Sequence, residues 1–231
     1  MSITENCAKL REEIPENVTI VLAAKVRSAE EIEQAINAGV TDIGENYVQE
    51  AGQMYSALQK KSAKVRWHMI GHLQTNKINK ALRIFDVIQT VDSLEKAAAI
   101  DKRVKGAAKQ IIPVFIEINI GSEDSKAGIK PEEHEPFETY IENLITDMSG
   151  FKHLRIEGLM TMGPRFGNPE DIRPYFARMR KIFEKIKELD LANVNMKYLS
   201  MGMTNSYKVA IEEGSNMVRI GTAIFGERKY K

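Results

Sequence analysis

The chain has 231 residues, 43% hydrophobic and 28% charged, with 33 basic against 32 acidic side chains and a net charge of +1. That length suits one α/β barrel or two smaller domains, and the balanced charge gives no reason to expect a nucleic-acid or anionic-membrane partner. The lone Cys7 excludes an intramolecular disulfide, the N-terminus lacks a signal-peptide pattern, and no apolar run approaches the ~20 residues of a membrane span, so a cytoplasmic protein is expected.

Taken in chain order, residues 2–13 read as an amphipathic entry helix, with Cys7 as a packing residue rather than a reactive thiol. Val18 to Ala24 is short, apolar and β-branched, which favours a strand. Ser28 with Glu31 three residues on is a capping box for a helix over 29–38, and Gly39 is its stop. Strand and helix then alternate: strand 40–44, helix 46–58, strand 65–70, helix 74–82 and strand 85–90. Asp92 or Ser93 caps a helix to Val104, and Ile111 to Ile120 is a long fifth strand. A loop over 121–131 leads into a helix through Met148, followed by strand 154–160, a loop over 162–170 and a helix over 169–189. A weak strand at 195–199, a short helix at 204–212, a strand at 217–220 and a last helix that is short or absent complete the series. Eight strand segments separated by helices imply parallel strands that close into a (β/α)8 TIM-type barrel with an extra N-terminal helix, one domain over residues 1–231; an open doubly wound sheet is the alternative.

Such barrels carry their chemistry at the C-terminal ends of the strands. There the sequence puts Lys25, then Glu45, Asn46 and Tyr47, then Gly71 and His72, then Asn119, Thr161, Ser200, Met201, Gly202, Arg219, Gly221 and Thr222. The ends of the last two strands often hold phosphate, which needs free backbone N–H groups, small residues and hydroxyls. Ser200-Met201-Gly202 and Gly221-Thr222 supply these, although the glycines alone could simply turn the chain. Lys25 is either a solvated lysine or, partly desolvated at the mouth, an amine free to attack a carbonyl. Arg219 shares a strand face with Met217 and Gly221; if that face is inward, its guanidinium needs a carboxylate or a ligand atom. His68 and His72 have the spacing of a helical metal pair but bracket a strand end, so no metal is expected; His72 reads as a ligand-side hydrogen bonder and His68 as packed beside Trp67.

The segments LAAK (22–25), GENYVQE (44–50), WHMIGHLQTNK (67–77), MGMTNSYKVAI (201–211) and VRIGTAIFGER (218–228) resemble the YggS/PROSC-type pyridoxal phosphate homeostasis proteins. The resemblance implies a barrel like the N-terminal domain of alanine racemase that binds pyridoxal 5′-phosphate (PLP) as a Schiff base on Lys25. It matches Ser200, Gly221 and Thr222 to the phosphate cradle and Arg219 to the arginine facing the pyridine nitrogen, with Asn46 and His72 lining the pocket and Met201 also expected among the cofactor-binding residues. Departures are Ala24 where serine is common, Arg27 where lysine is usual, and Asn205 where aspartate is common, the last bearing on the cap of the short helix. The function so implied is cofactor buffering or delivery by a monomer, with PLP-dependent apo-enzymes as recipients and without strong catalysis. A weak fold-type III amino-acid racemase is the alternative, although the second acid/base tyrosine and the β domain that carries it are not found before residue 231. A barrel aldolase binding a phosphorylated sugar through Lys25 is a third reading, separated by its lack of yellow colour.

Overall fold

The computed structural model describes residues 1–107, 109–164 and 167–227. Arg228, at the end of the last motif, and residues 165–166 of the loop 162–170 lie outside them. Eight parallel strands close in chain order: β1 (Thr19–Ala23), β2 (Asp42–Glu45), β3 (Arg66–Met69), β4 (Val87–Val91), β5 (Ile112–Glu117), β6 (Leu154–Met160), β7 (Val194–Met203) and β8 (Met217–Ile220), with β8 pairing back to β1. Helices run between them: α1 (Ile3–Glu13) precedes the barrel, followed by α2 (Ala29–Asn37), α3 (Val48–Leu58), α4 (Ile78–Ala81), α5 (Leu94–Val104), α6 (Phe137–Met148), α7 (Arg173–Lys187), α8 (Tyr207–Glu212) and α9 (Thr222–Phe225). The expected TIM-type barrel with an extra N-terminal helix is therefore the observed fold. No helix among the described residues is long and apolar enough to cross a membrane.

Local signals explain the helix starts. Ser2 with Glu5 and Ser28 with Glu31 both form reciprocal capping boxes, and the Ser93 hydroxyl accepts the Lys96 amide at the start of α5. Gly39, at φ +93°, turns the chain after α2 as only glycine does cheaply. Cys7 is buried in the α1 packing face, and that burial pushes its thiol up, which fits an inert role.

Side-chain alternation along the strands makes two apolar regions. Leu22, Ile43, Trp67, Ile88, Ile116, Leu159 and Ile220 face the helices in the main core. Val21, Val87, Phe115, Met160 and Met217 form a small separate cluster inside the barrel. This inner layer occupies only part of the lumen, which it shares with the buried polar side chains of Asp42, His68, Gln89, Glu117, Ser200 and Arg219.

Several boundaries differ from the sequence expectation. β7 is the longest strand, ten residues rather than a weak run at 195–199. Its Ser-Met-Gly-Met end lacks β-branched residues, but Ser200 pairs with Met160 and Met203 with Arg219, and pairing on both sides outweighs propensity. β5 stops at Glu117, because the Asn119 side chain turns back to bind its own loop at Glu123 and Lys126. The 74–82 helix is a 3₁₀ turn (Thr75–Lys77) and the four-residue α4. Pro136 sets the start of α6, and a 3₁₀ turn over Pro169–Ile172 precedes α7. The helix expected from Thr204 begins at Tyr207, its N-cap being Ser206, while Asn205 is exposed.

Gly158 in β6 faces the Tyr198 carbonyl so closely that any Cβ would run into it. Gly158→Ala must push β6 from β7, and urea denaturation should show a loss of about 3 kcal/mol. An unchanged midpoint would mean that the two backbones do not approach as described.

Candidate functional site

The mouth at the C-terminal strand ends is built where β8 closes on β1. Val21 pairs with Arg219 and Leu22 with Ile220, so Gly221 comes beside Ala23. A Cβ on Gly221 would lie 3.3 Å from the Ala23 carbonyl oxygen. Lys25 sits just past the end of β1, two residues after Ala23. It occupies a turn closed by the Arg27 amide donating to the Ala24 carbonyl (3.1 Å). Val26 in that turn has φ +63°, a left-handed conformation unusual for a β-branched residue, and its side chain is 62% exposed. The Lys25 Nζ lies 5.1 Å from the centroid of the Tyr47 ring.

Two neighbouring strand ends complete this side. Gly202 has φ +92°, and a Cβ there would lie 2.6 Å from the Ala210 Cβ, so only glycine lets β7 turn tightly into α8. The Thr204 hydroxyl accepts the Ala223 amide (3.3 Å), tying the turn after β7 to α9. Thr222 is exposed at the start of α9, behind its N-cap Gly221. Met201 turns its side chain into the helix-facing core, so it can offer only backbone to the mouth. Asn46 and His72 line one cavity of about 290 Å³ with Tyr47, Gly71 and Lys77.

Below the mouth, a directional hydrogen-bond chain crosses the lumen. Arg219, 4% exposed, donates from Nη1 to the Ser200 Oγ (2.8 Å) and from Nη2 to the Thr161 carbonyl (2.7 Å). The Ser200 hydroxyl donates to the Gln89 Oε1 (2.8 Å), and the Gln89 Nε2 donates to the His68 Nδ1 (2.9 Å). The His68 Nε2 then donates to the Asp42 Oδ1 (2.8 Å), whose other oxygen accepts from the Thr41 hydroxyl (2.7 Å). Burial pushes the imidazole below its ordinary range against the pull of Asp42, which keeps it neutral. Burial would raise Asp42, but His68, Thr41 and Arg66 outweigh it and hold the carboxyl below its usual value. Burial also brings Arg219 down to about 10, opposed by Glu117, so it remains cationic at neutral pH.

Arg219 thus answers the question its strand position raised: it faces inward, and its acceptors are a hydroxyl and a carbonyl, with no ion pair among the described residues. Ser200 is fully buried and engaged in aiming that arginine. His68 is buried but not packed beside Trp67; they lie on opposite faces of β3, with Trp67 against Tyr55 and bonded to the Ser62 carbonyl. Glu45 also leaves the mouth, because Gly44 faces inward against Val21 and Ile70 and the next residue must face the helices. Sequence reasoning passed over Asp42, Gln89 and Glu117, each a polar residue at an inward strand position.

Glu117 is 3% exposed on the inward face of β5, with its Oε2 unpartnered among the described residues. Burial, then Asp92, push it up to about 7, while Lys96 and Arg219 pull the other way. Since the folded value exceeds the unfolded one, its contribution to stability is whole below pH 4.5 and lost as pH rises through 7. Glu117→Gln should therefore gain up to about 3 kcal/mol on the parent between pH 4.5 and pH 8 in urea denaturation. An equal difference at both pH values would contradict this placement.

Residues 1–229 match the family model of the alanine racemase N-terminal domain. The chain is 40% identical to the pyridoxal phosphate homeostasis protein of Aquifex aeolicus over 229 residues, 98% of this chain and 90% of that one. PipY of Synechococcus elongatus PCC7942, solved with PLP bound, superposes with a TM-score of 0.86 at 28% identity, covering 97% of this chain and 100% of PipY. Alanine racemase of Clostridium difficile 630 superposes at 0.76 with 16% identity over 57% of its length, a likeness of fold alone. The chain belongs to the alanine racemase N-terminal domain family, among its pyridoxal phosphate homeostasis proteins.

Proposed function

We propose that this protein binds PLP in the barrel mouth, attached to Lys25, and serves the homeostasis of that cofactor by buffering or delivering it. The observation that carries this reading is the closure of β8 on β1, which puts Gly221 against Ala23, two residues before Lys25, at the strand ends above the buried Arg219. PLP supplies an aldehyde that condenses reversibly with an amine, a chemistry suited to holding and releasing it. The residues present fit such a group.

Lys25 is the amine, its Nζ lying 5.1 Å from the centroid of the Tyr47 ring. Backbone N–H groups around Met201–Gly202 and Gly221–Thr222, with the Thr222 hydroxyl, take the phosphate where the two glycines permit close approach. Arg219 has five N–H groups, of which Ser200 and Thr161 take two, and with PLP bound it would serve the pyridine nitrogen as a donor. A donor that stays charged keeps that nitrogen unprotonated, weakening the ring as an electron sink and favouring storage over carbanion chemistry. Ser200 acts by holding Arg219, while Asn46 and His72 line the flank of the mouth. The whole chain works as one PLP-binding unit, a cytoplasmic monomer that passes the cofactor to PLP-dependent apo-enzymes.

Adding PLP, trapping with borohydride and mapping peptides by mass spectrometry should give a pyridoxyl adduct on Lys25 that is absent from Lys25→Ala. Labels scattered over surface lysines, or no label, would sink the proposal.

A further inference from the structure

Glu45 closes β2 on the helix side of the barrel wall, opposite the face that meets the mouth. Its side chain is 2% exposed, and its Oε2 is buried without a hydrogen-bond partner among the described residues. It borders a cavity of about 230 Å³ between α2 and α3, lined also by Val26, Arg27, Glu50, Gln53 and Met54. A second carboxylate, Glu50, therefore faces the same space. The one cation there is turned elsewhere: Arg27 reaches Glu31 (3.4 Å) and the Gly226 carbonyl (2.7 Å), with its guanidinium 4.8 Å from the Phe225 ring centroid. Among the described residues neither Glu45 nor Glu50 forms an ion pair.

A buried carboxylate oxygen without a donor is costly, and such atoms in native proteins are ordinarily satisfied. Two carboxylates repel an anion, and a neutral donor would leave the charge of Glu50 uncompensated. Met54 and the methyls of Val26 provide apolar walls for an alkyl stem ending in a cation. We infer that this cavity binds an alkylguanidinium or alkylammonium group of the size of an arginine or lysine side chain. Burial, then Glu50, push the Glu45 carboxyl up to about 7 against a backbone hydrogen bond from Asn46, so an arriving cation takes the place of a proton there. Val26 and Arg27 belong to the Lys25 turn, which makes the cavity a neighbour of the mouth through one stretch of backbone.

Butylguanidinium is a suitable free probe, because it has no primary amine to react with PLP. A capped Leu-Arg-Leu peptide carries the same group on a protein backbone. Each is titrated into the full chain, with and without PLP, following the methyl resonance of Met54. Saturable shifts are expected, at least tenfold weaker in Glu45→Gln and several-fold weaker in Glu50→Gln, and unchanged in Asp124→Asn on the far loop. Circular dichroism checks that each variant is folded; should Glu45→Gln fail to fold, Glu50→Gln carries the test. Tighter binding of the peptide assigns the site to a partner's side chain, and equal binding assigns it to free small cations. No shift at Met54, or binding undiminished in the folded glutamine variants, would overturn the inference. Titration without PLP keeps this outcome separate from any failure of the cofactor reading.

Discussion

The hydrogen-bond chain from Asp42 through His68, Gln89 and Ser200 to Arg219 is the constraint on which the mouth depends. A guanidinium and an imidazole both lie inside a barrel, where an unpaired polar group costs more than in water. The chain works because each link has a fixed direction. Asp42 can only accept, so His68 carries its proton on Nε2 and accepts at Nδ1 from the Gln89 amide. The amide oxygen then takes the Ser200 proton, leaving the serine oxygen to accept from Arg219. Any member replaced by an apolar residue strands a donor or an acceptor on its neighbour.

That chain makes Arg219 a fixed cation at the floor of the mouth, and barrel closure does the rest. Since β1 and β8 are neighbours although almost two hundred residues apart in sequence, the turn carrying Lys25 and the turn carrying Gly221 become adjacent walls. Glu117 and Glu45 show how far strand alternation governs chemistry. Both are buried carboxyls pushed up to about 7 by burial first. One faces inward within the electrostatic reach of Arg219, and the other faces outward into a gap between helices.

Much of this was legible in the residues. Apolar β-branched runs between capped helical segments place all eight strands, and the Ser28–Glu31 box marks a real helix start. Lys25, Arg219 and Gly221 are recognisable from strand ends and motifs, and the pairing of β1 with β8 makes their two strand ends neighbours. Which side of the wall a residue faces was harder to read at strand ends. Glu45 and Asn46 are adjacent, and only the inward fit of Gly44 against Val21 and Ile70 decides between them. The extension of β7 through Met203 and the retreat of β5 to Glu117 depend on pairing and on the Asn119 side chain, which no local propensity encodes. The role of Gln89 is likewise visible only once β4 stands between β3 and β5, with His68 and Ser200 within reach across the lumen.

The most direct test of the account is a crystal structure of the protein grown with PLP. The account predicts density continuous with the Lys25 Nζ, the pyridine nitrogen toward Arg219 and the phosphate among Met201–Gly202 and Gly221–Thr222, with the Ser200–Gln89–His68 links intact. PLP bound away from Lys25, or an Arg219 swung off Ser200 and Thr161 with no ligand atom against it, would contradict it.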